Sequence, residues 1–148
     1  MDSLLLWWRE YGLNLYPNAT KILILFDAGG ANSYRHHLFK IALIRLVSEM
    51  GIEVHIKHYP SYASKWNPIE HRVFCHVARV IDGVFIRTFD EFKKLVARAK
   101  TKTGLKVTVN DVGGDYETGA SGLKEDWDGR IIFGEILPQW NYSCAPIF

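Results

Sequence analysis

The stretch that most constrains the fold is an unbroken apolar run, Ile22-Leu23-Ile24-Leu25-Phe26, entered from Lys21 and ended by Asp27-Ala28-Gly29-Gly30. Five residues are far too few to span a bilayer. A run without polar alternation is the signature of a strand buried on both faces, and hence of a parallel sheet. Asn32 or Ser33 then caps a helix in which Leu38, Ile41, Ala42, Leu46 and Met50 recur, closed by Gly51. From Glu53 to Tyr59 the pattern alternates, with Val54, Ile56 and His58 set against His55, Lys57 and Tyr59, which predicts the next strand. A loop containing Pro60 leads to a second helix. Strand, helix, strand, loop, helix is the right-handed crossover unit of an α/β fold.

That second helix has a well-marked start. Asn67 is a good N-cap and Pro68 sits at the first helical position, where a missing N–H costs nothing. Ile69, Val73, Val77 and Val80 recur at helical spacing and predict a buried face. Glu70 falls in the first turn, where it either complements the helix dipole or faces a ligand.

The remaining segments read more weakly. Residues 1–20 suggest a leading helix capped by Ser3 and stopped at Gly12, apolar enough to lie on a sheet, and then a loop. Beyond the segment 21–81, residues 82–148 read as an α+β extension. Val84–Arg87 is strand-like, and a Thr88/Glu91 capping box opens a helix running to about Lys100. Leu105–Val109 is strand-like and broken by Gly113-Gly114. One helical turn is expected near Lys124–Trp127, and Ile131–Phe148 is expected to wrap over the core.

A chain of 148 residues is one domain or a large piece of one, with a globular composition. The net charge of +2 does not by itself point to nucleic acid, but its distribution is uneven. Six basic residues and no acid lie between Phe92 and Asn110, and six acids with Lys124 alone lie between Asp111 and Asp128. Cys75 and Cys144 have no metal-type spacing and read as reduced thiols in a cytosolic protein. No signal peptide is legible at the start of the sequence.

Asp27 is the first residue past one strand and Glu70 opens the helix after the next, so both should lie at the carboxyl edge of the sheet, where α/β sites form. Two acids there, beside Gly29 and Gly30, suit a hard divalent cation such as Mg²⁺, which accepts one or two carboxylates. Either acid can equally be a turn or helix cap. His36, His37, His55 and His58 show no ligand pattern and read as surface or core residues.

Leu25-Phe26-Asp27-Ala28-Gly29-Gly30-Ala31-Asn32-Ser33, His58-Tyr59-Pro60 and Ser64-Lys65-Trp66-Asn67-Pro68-Ile69-Glu70-His71-Arg72 together resemble the DDE transposases of the Rhodopirellula type, a bacterial insertion-sequence group related to mariner-like enzymes. Thr101–Val107 and Trp140-Asn141-Tyr142 also resemble the tail of that group, so the likeness spans about Ile22 to Pro146. The resemblance implies an RNase H-like fold and Mg²⁺ or Mn²⁺ held by Asp27 and Glu70, the second and third acids of a triad. It implies metal-dependent cleavage and strand transfer at insertion-sequence DNA ends in the bacterial cytoplasm. Lys65, Arg72, Lys100, Lys102 and Lys106 are then candidates for DNA phosphate contacts. Family members carry a first acid on an opening strand, for which neither Asp2 nor Glu10 is a counterpart. The expectation is therefore a single partial domain lacking the first three strands, inactive alone, working as a homo-oligomer or with a missing N-terminal half. The rival readings are another RNase H-like nuclease, a non-catalytic DNA- or phosphate-binding α/β module, and an inert remnant of a decayed element.

Overall fold

Lys21–Phe26 (β1) and Glu53–His58 (β2) pair in parallel, with Lys21 opposite Glu53 and Phe26 opposite His58. The computed structural model describes residues 1–27, 29, 30, 33, 35–60, 62–113 and 121–147, without the side chain of Ser64. These residues gather into two compact units, Met1–Ser61 with Gly114–Phe148, and Tyr62–Gly113. The first holds an open four-stranded sheet in a mixed α/β arrangement, and the second is mainly helical.

In the sheet unit, His37–Met50 (α2) follows a leading helix, Asp2–Trp7 (α1). Phe39, Leu43, Leu46, Val47 and Met50 recur on one stripe of α2 and are buried with Val54 and Ile56 of β2. Gly51 closes the helix at φ 69°, and its N–H donates to the Val47 carbonyl at 2.9 Å. The helix begins later than its sequence suggested. His36 is the N-cap, Ser33 only accepts the Arg35 N–H at 3.3 Å, and Asn32 lies outside the described residues. The leading helix is not stopped by Gly12. It passes into a π turn over Trp8–Gly12 and on to Leu13–Leu15. A Cβ on Gly12 would lie 2.4 Å from the Trp8 ring, so this glycine makes room for an indole that reaches the core.

Two sequence expectations are corrected here. β1 is not buried on both faces: Leu23 and Leu25 are 54% and 42% exposed, while Ile22, Ile24 and Phe26 pack against the core. An apolar run records how sticky a strand is, and not how many layers cover it. The C-terminal segment also does more than wrap. Asn141–Cys144 (β4) enters the sheet antiparallel to β2, placing Tyr142 opposite Ile56 and Cys144 opposite Val54, and Ile132–Phe133 (β3) pairs with its far side. The strand order is β1-β2-β4-β3, which leaves β1 at an edge. Asn-Tyr-Ser-Cys has little strand character of its own. It is held because β2 would otherwise bury unpaired backbone groups.

The helical unit is continuous from 68 to 81, with a π turn over Glu70–Phe74 leading into Cys75–Ile81 (α3). Asn67 does cap it, its Oδ1 accepting the Ile69 N–H at 3.3 Å. The face expected to be buried is only half-buried at Val73, Val77 and Val80, and Ile69 is exposed. Phe89–Val96 (α4) starts at Thr88, whose Oγ1 accepts the Glu91 N–H at 3.1 Å, and ends four residues short of Lys100. Val84–Arg87 forms no strand, and Leu105–Val109 is reduced to one antiparallel bridge between Lys100 and Lys106. Strand propensity needs a partner edge, and neither segment has a ladder partner among the described residues. The helical turn expected near 124–127 is present at Lys124–Asp126.

Core burial and sheet exposure make opposite demands on two leucines. Leu43→Ala, at a fully buried position, should lower the unfolding free energy by about 2–5 kcal/mol. Leu23→Ala, on the exposed face of β1, should change it by about 0.5 kcal/mol. Urea denaturation followed by tryptophan fluorescence separates the two.

Candidate active site

The carboxyl end of β1 is where the sheet hands over to a loop. The last ladder bond there runs from the Tyr59 N–H to the Phe26 carbonyl at 2.7 Å, and Pro60 follows without an N–H to donate. Asp27 is the next residue and is exposed. Among the described residues no side chain forms a hydrogen bond or ion pair with its carboxylate. Its backbone carbonyl, 3.3 Å from His58 Nδ1, is held from the core side. Ala28, Ala31 and Asn32, the rest of the motif after Asp27 apart from Gly29, Gly30 and Ser33, lie outside the described residues.

Beneath Asp27 lies a buried polar group that sequence reasoning did not assign to the site. His58 Nε2 is 2.7 Å from the Tyr142 hydroxyl, and the imidazole packs against Phe26, Phe39 and Tyr142 at 5.9, 5.6 and 5.6 Å between ring centres. Burial is the main cause that lowers the His58 pKa, the Lys40 ammonium adds to it, and the Asp27 carbonyl and charge oppose it. The ring is therefore neutral near pH 7. Lys40 is itself buried, with its ammonium 4.9 Å from the centre of the Trp127 ring and 5.8 Å from that of Tyr142, and burial lowers its pKa. Burial likewise raises that of the Tyr142 phenol. The signal for His58 was present in the alternation of β2, which puts it on the same face as Val54 and Ile56. Nothing local marked Tyr142 as its partner.

Beside these strand ends, Leu25, Lys57, Tyr59, Pro60 and Trp140 line part of an open recess of about 290 Å³. Two other histidines of the sheet unit have polar partners: His37 Nδ1 accepts the Trp127 indole N–H at 2.8 Å and His55 Nε2 lies 2.8 Å from Glu53, while His36 takes the N-cap position of α2 without a side-chain bond to it. Cys75 and Cys144 are free thiols.

Glu70 lies in the helical unit, at the first residue of the π turn, where the Cys75 N–H reaches back five residues to the Glu70 carbonyl. Such turns are rare in helices and are found mostly at functional sites. The His71 Nε2–H donates to the Lys65 carbonyl at 2.6 Å, tying the loop that carries Lys65 to the turn that carries Glu70. The Lys65 ammonium lies 5.3 Å from the centre of the exposed Trp66 ring, and Arg72 is exposed. Lys100 and Lys106 stand opposite each other across their bridge, and Lys102 is in the turn between them. All three are exposed and none pairs with an acid among the described residues. From 62 to 113 the sequence has ten Lys and Arg against five Asp and Glu. The candidate phosphate-binding residues thus share one unit with Glu70, whereas Asp27 belongs to the sheet unit. No group of three His, Cys, Asp or Glu side chains suited to a metal occurs among the described residues.

The described residues thus hold an open α/β sheet with an exposed carboxylate at its carboxyl edge, and a separate helical unit rich in Lys and Arg. Residues 1–146 match the Rhodopirellula transposase DDE domain family, and the chain belongs to that family. Its function is accordingly of the transposase type, with DNA as partner. No curated protein and no solved structure matches the chain. No helix among the described residues is long and apolar enough to cross a membrane.

The depressed pKa of His58 has a consequence for stability. The unfolded chain takes up a proton near pH 6.5, while the folded chain resists it to lower pH. Stability from this group is present above 6.5 and is lost as pH falls through the folded value. The unfolding free energy should be lower at pH 5.5 than at pH 7.5, with a shallower dependence in His58→Asn, as read from urea midpoints at the two pH values.

Proposed function

We propose that this chain is the part of a DDE transposase that carries two acids of the catalytic triad, in an RNase H-like domain that cleaves and transfers the DNA ends of an insertion sequence. The observation that carries the proposal is the placement of Asp27 within a chain of this family. It is an exposed carboxylate with no partner among the described residues, one residue past a parallel strand.

Asp27 and Glu70 are hard oxygen donors, and one or two such groups suit Mg²⁺ or Mn²⁺. A bound divalent ion supplies charge stabilisation at the scissile phosphate and activation of the attacking oxygen. The protein's own part is to present the two carboxylates and to neutralise the DNA backbone. Lys65 and Arg72, which flank Glu70 in the sequence, and Lys100, Lys102 and Lys106 meet DNA phosphates, which fixes register without reading sequence. The reading implies a cytoplasmic protein acting on DNA in a bacterium, as a homo-oligomer or with a second polypeptide.

Two carboxylates are a thin donor set for a metal pair that must be held against its hydration. The isolated chain is therefore expected to bind Mn²⁺ weakly and not to nick DNA until the third acid of the triad is supplied. The test is a cleavage assay on DNA carrying candidate element ends with Mg²⁺, alongside Asp27→Ala and Glu70→Ala. Nicking by the unaided chain that disappears in both variants would show that it is active alone. Calorimetric Mn²⁺ binding that neither substitution weakens would remove Asp27 and Glu70 from the site.

The basic residues give an independent, quantitative expectation. Replacing Lys100, Lys102 and Lys106 by Ala should weaken binding of duplexes of any sequence and reduce the slope of log K against log[salt] by about 2–3, near 0.9 per lost phosphate contact. Fluorescence anisotropy over a range of salt concentrations measures that slope.

A further inference from the structure

We infer that His58 and Tyr142 form a positioning pair that fixes the backbone at Asp27 from inside the sheet, and with it the direction in which the acid's side chain leaves the chain. The inference rests on the reading of Asp27 as a metal-binding acid and adds how the fold aims it.

The parallel ladder ends at the Phe26 carbonyl, so no strand partner sets the peptide after Asp27. His58 does so instead, through the 3.3 Å contact of its Nδ1 with the Asp27 carbonyl. A carbonyl oxygen can only accept, so Nδ1 carries the hydrogen. Nε2 lies 2.7 Å from the Tyr142 hydroxyl, which can donate or accept and so fits whatever Nε2 carries. The Asp27 carbonyl therefore sets the hydrogen on Nδ1, and Tyr142 holds the ring from its far side. The ring has little freedom to turn, because Phe26, Phe39 and Tyr142 pack around it. Tyr142 is itself anchored in β4, paired with Ile56 on one side and Phe133 on the other. With the N-terminal side of Asp27 set by β1 and its carbonyl set by His58, the bond from Cα to Cβ points in one direction.

A group behind a metal ligand that fixes its orientation typically accounts for 10–100-fold in affinity when removed. Tyr142→Phe keeps the ring and its packing while deleting the hydroxyl that holds the imidazole from its far side. His58→Leu deletes both bonds. His58→Asn places an amide close to where Nδ1 was and can restore the bond to Asp27 alone.

The experiment uses the intact chain with Mn²⁺ as the probe, titrated while the broadening of backbone amide signals near Asp27 is followed by NMR. Circular dichroism on each variant checks the fold. A separate spectrum of ¹⁵N-labelled histidine reports the His58 tautomer. The expected result is the Nδ1–H tautomer at pH 7.5, with Mn²⁺ affinity about tenfold or more weaker in His58→Leu. Affinity should be intermediate in Tyr142→Phe, substantially recovered in His58→Asn, and lost in Asp27→Asn. If Asp27→Asn abolishes Mn²⁺ binding while Tyr142→Phe and His58→Leu bind as the parent does, the positioning pair is overturned and the acid's role stands. If Asp27→Asn binds as the parent does, the acid's role falls and the inference with it. A spectrum that shows no hydrogen on Nδ1 at pH 7.5 overturns the pair whether or not His58→Leu folds.

Discussion

The pairing of β2 on both of its edges is the constraint on which the rest of the sheet unit depends. β1 satisfies one edge in parallel and β4 the other antiparallel, so the backbone around Val54, Ile56 and His58 can be buried without unpaired groups. Only then can α2 lay Leu43, Leu46 and Val47 on that face. The two partners differ in kind. β1 is joined to β2 by α2 and the loops that flank it, whereas β4 arrives from more than eighty residues further along the chain. Long-range closure of that sort costs chain entropy that local contacts cannot offset, and the buried Tyr142 and Cys144 side chains supply part of the compensation.

That arrangement gives Asp27 two unlike surroundings. Its carboxylate faces outward without a partner among the described residues, and its peptide is gripped from within by a buried, neutral histidine. The separation makes physical sense for a metal-binding acid. A bond to the neighbouring carbonyl positions the residue from behind and leaves all the lone pairs of the carboxylate available to a cation. Lys40, the nearby cation described in the core, is drawn toward the Trp127 and Tyr142 rings. Burial is the main cause that lowers the His58 pKa, and the Lys40 charge adds to it.

The helical unit works by other means. Its short elements bury few side chains fully, Val96 and Ala99 among them, and much of its definition is polar. Thr88 caps α4, Asn67 opens the helix that carries Glu70, and His71 clips the preceding loop. An excess of exposed Lys and Arg on so lightly packed a unit is destabilising through self-repulsion, and a polyanion laid against it relieves that repulsion. The charge therefore goes with the partner that the family implies, which is DNA.

Much of this was legible in the residues themselves. The apolar run of β1, the alternation of β2, the stripe along α2 with its glycine stop, and Asn67-Pro68 at a helix start are local patterns whose meaning depends on backbone geometry alone. Asp27 and Glu70 stood out because motif and position coincide at strand and helix ends, and the family match agrees with the resemblance those motifs carry. What the sequence could not decide were matters of partnership. Whether Ile22–Phe26 is covered on one face or two, whether Val84–Arg87 or Leu105–Val109 finds an edge, and whether Asn141–Cys144 joins a sheet all depend on segments far away in the chain. The contact between His58 and Tyr142 is of the same kind. Both lie in motifs that carry the family resemblance, His58-Tyr59-Pro60 and Trp140-Asn141-Tyr142, but only the pairing of β2 with β4 brought an imidazole and a phenol within 2.7 Å, beneath the acid that the sequence had already marked.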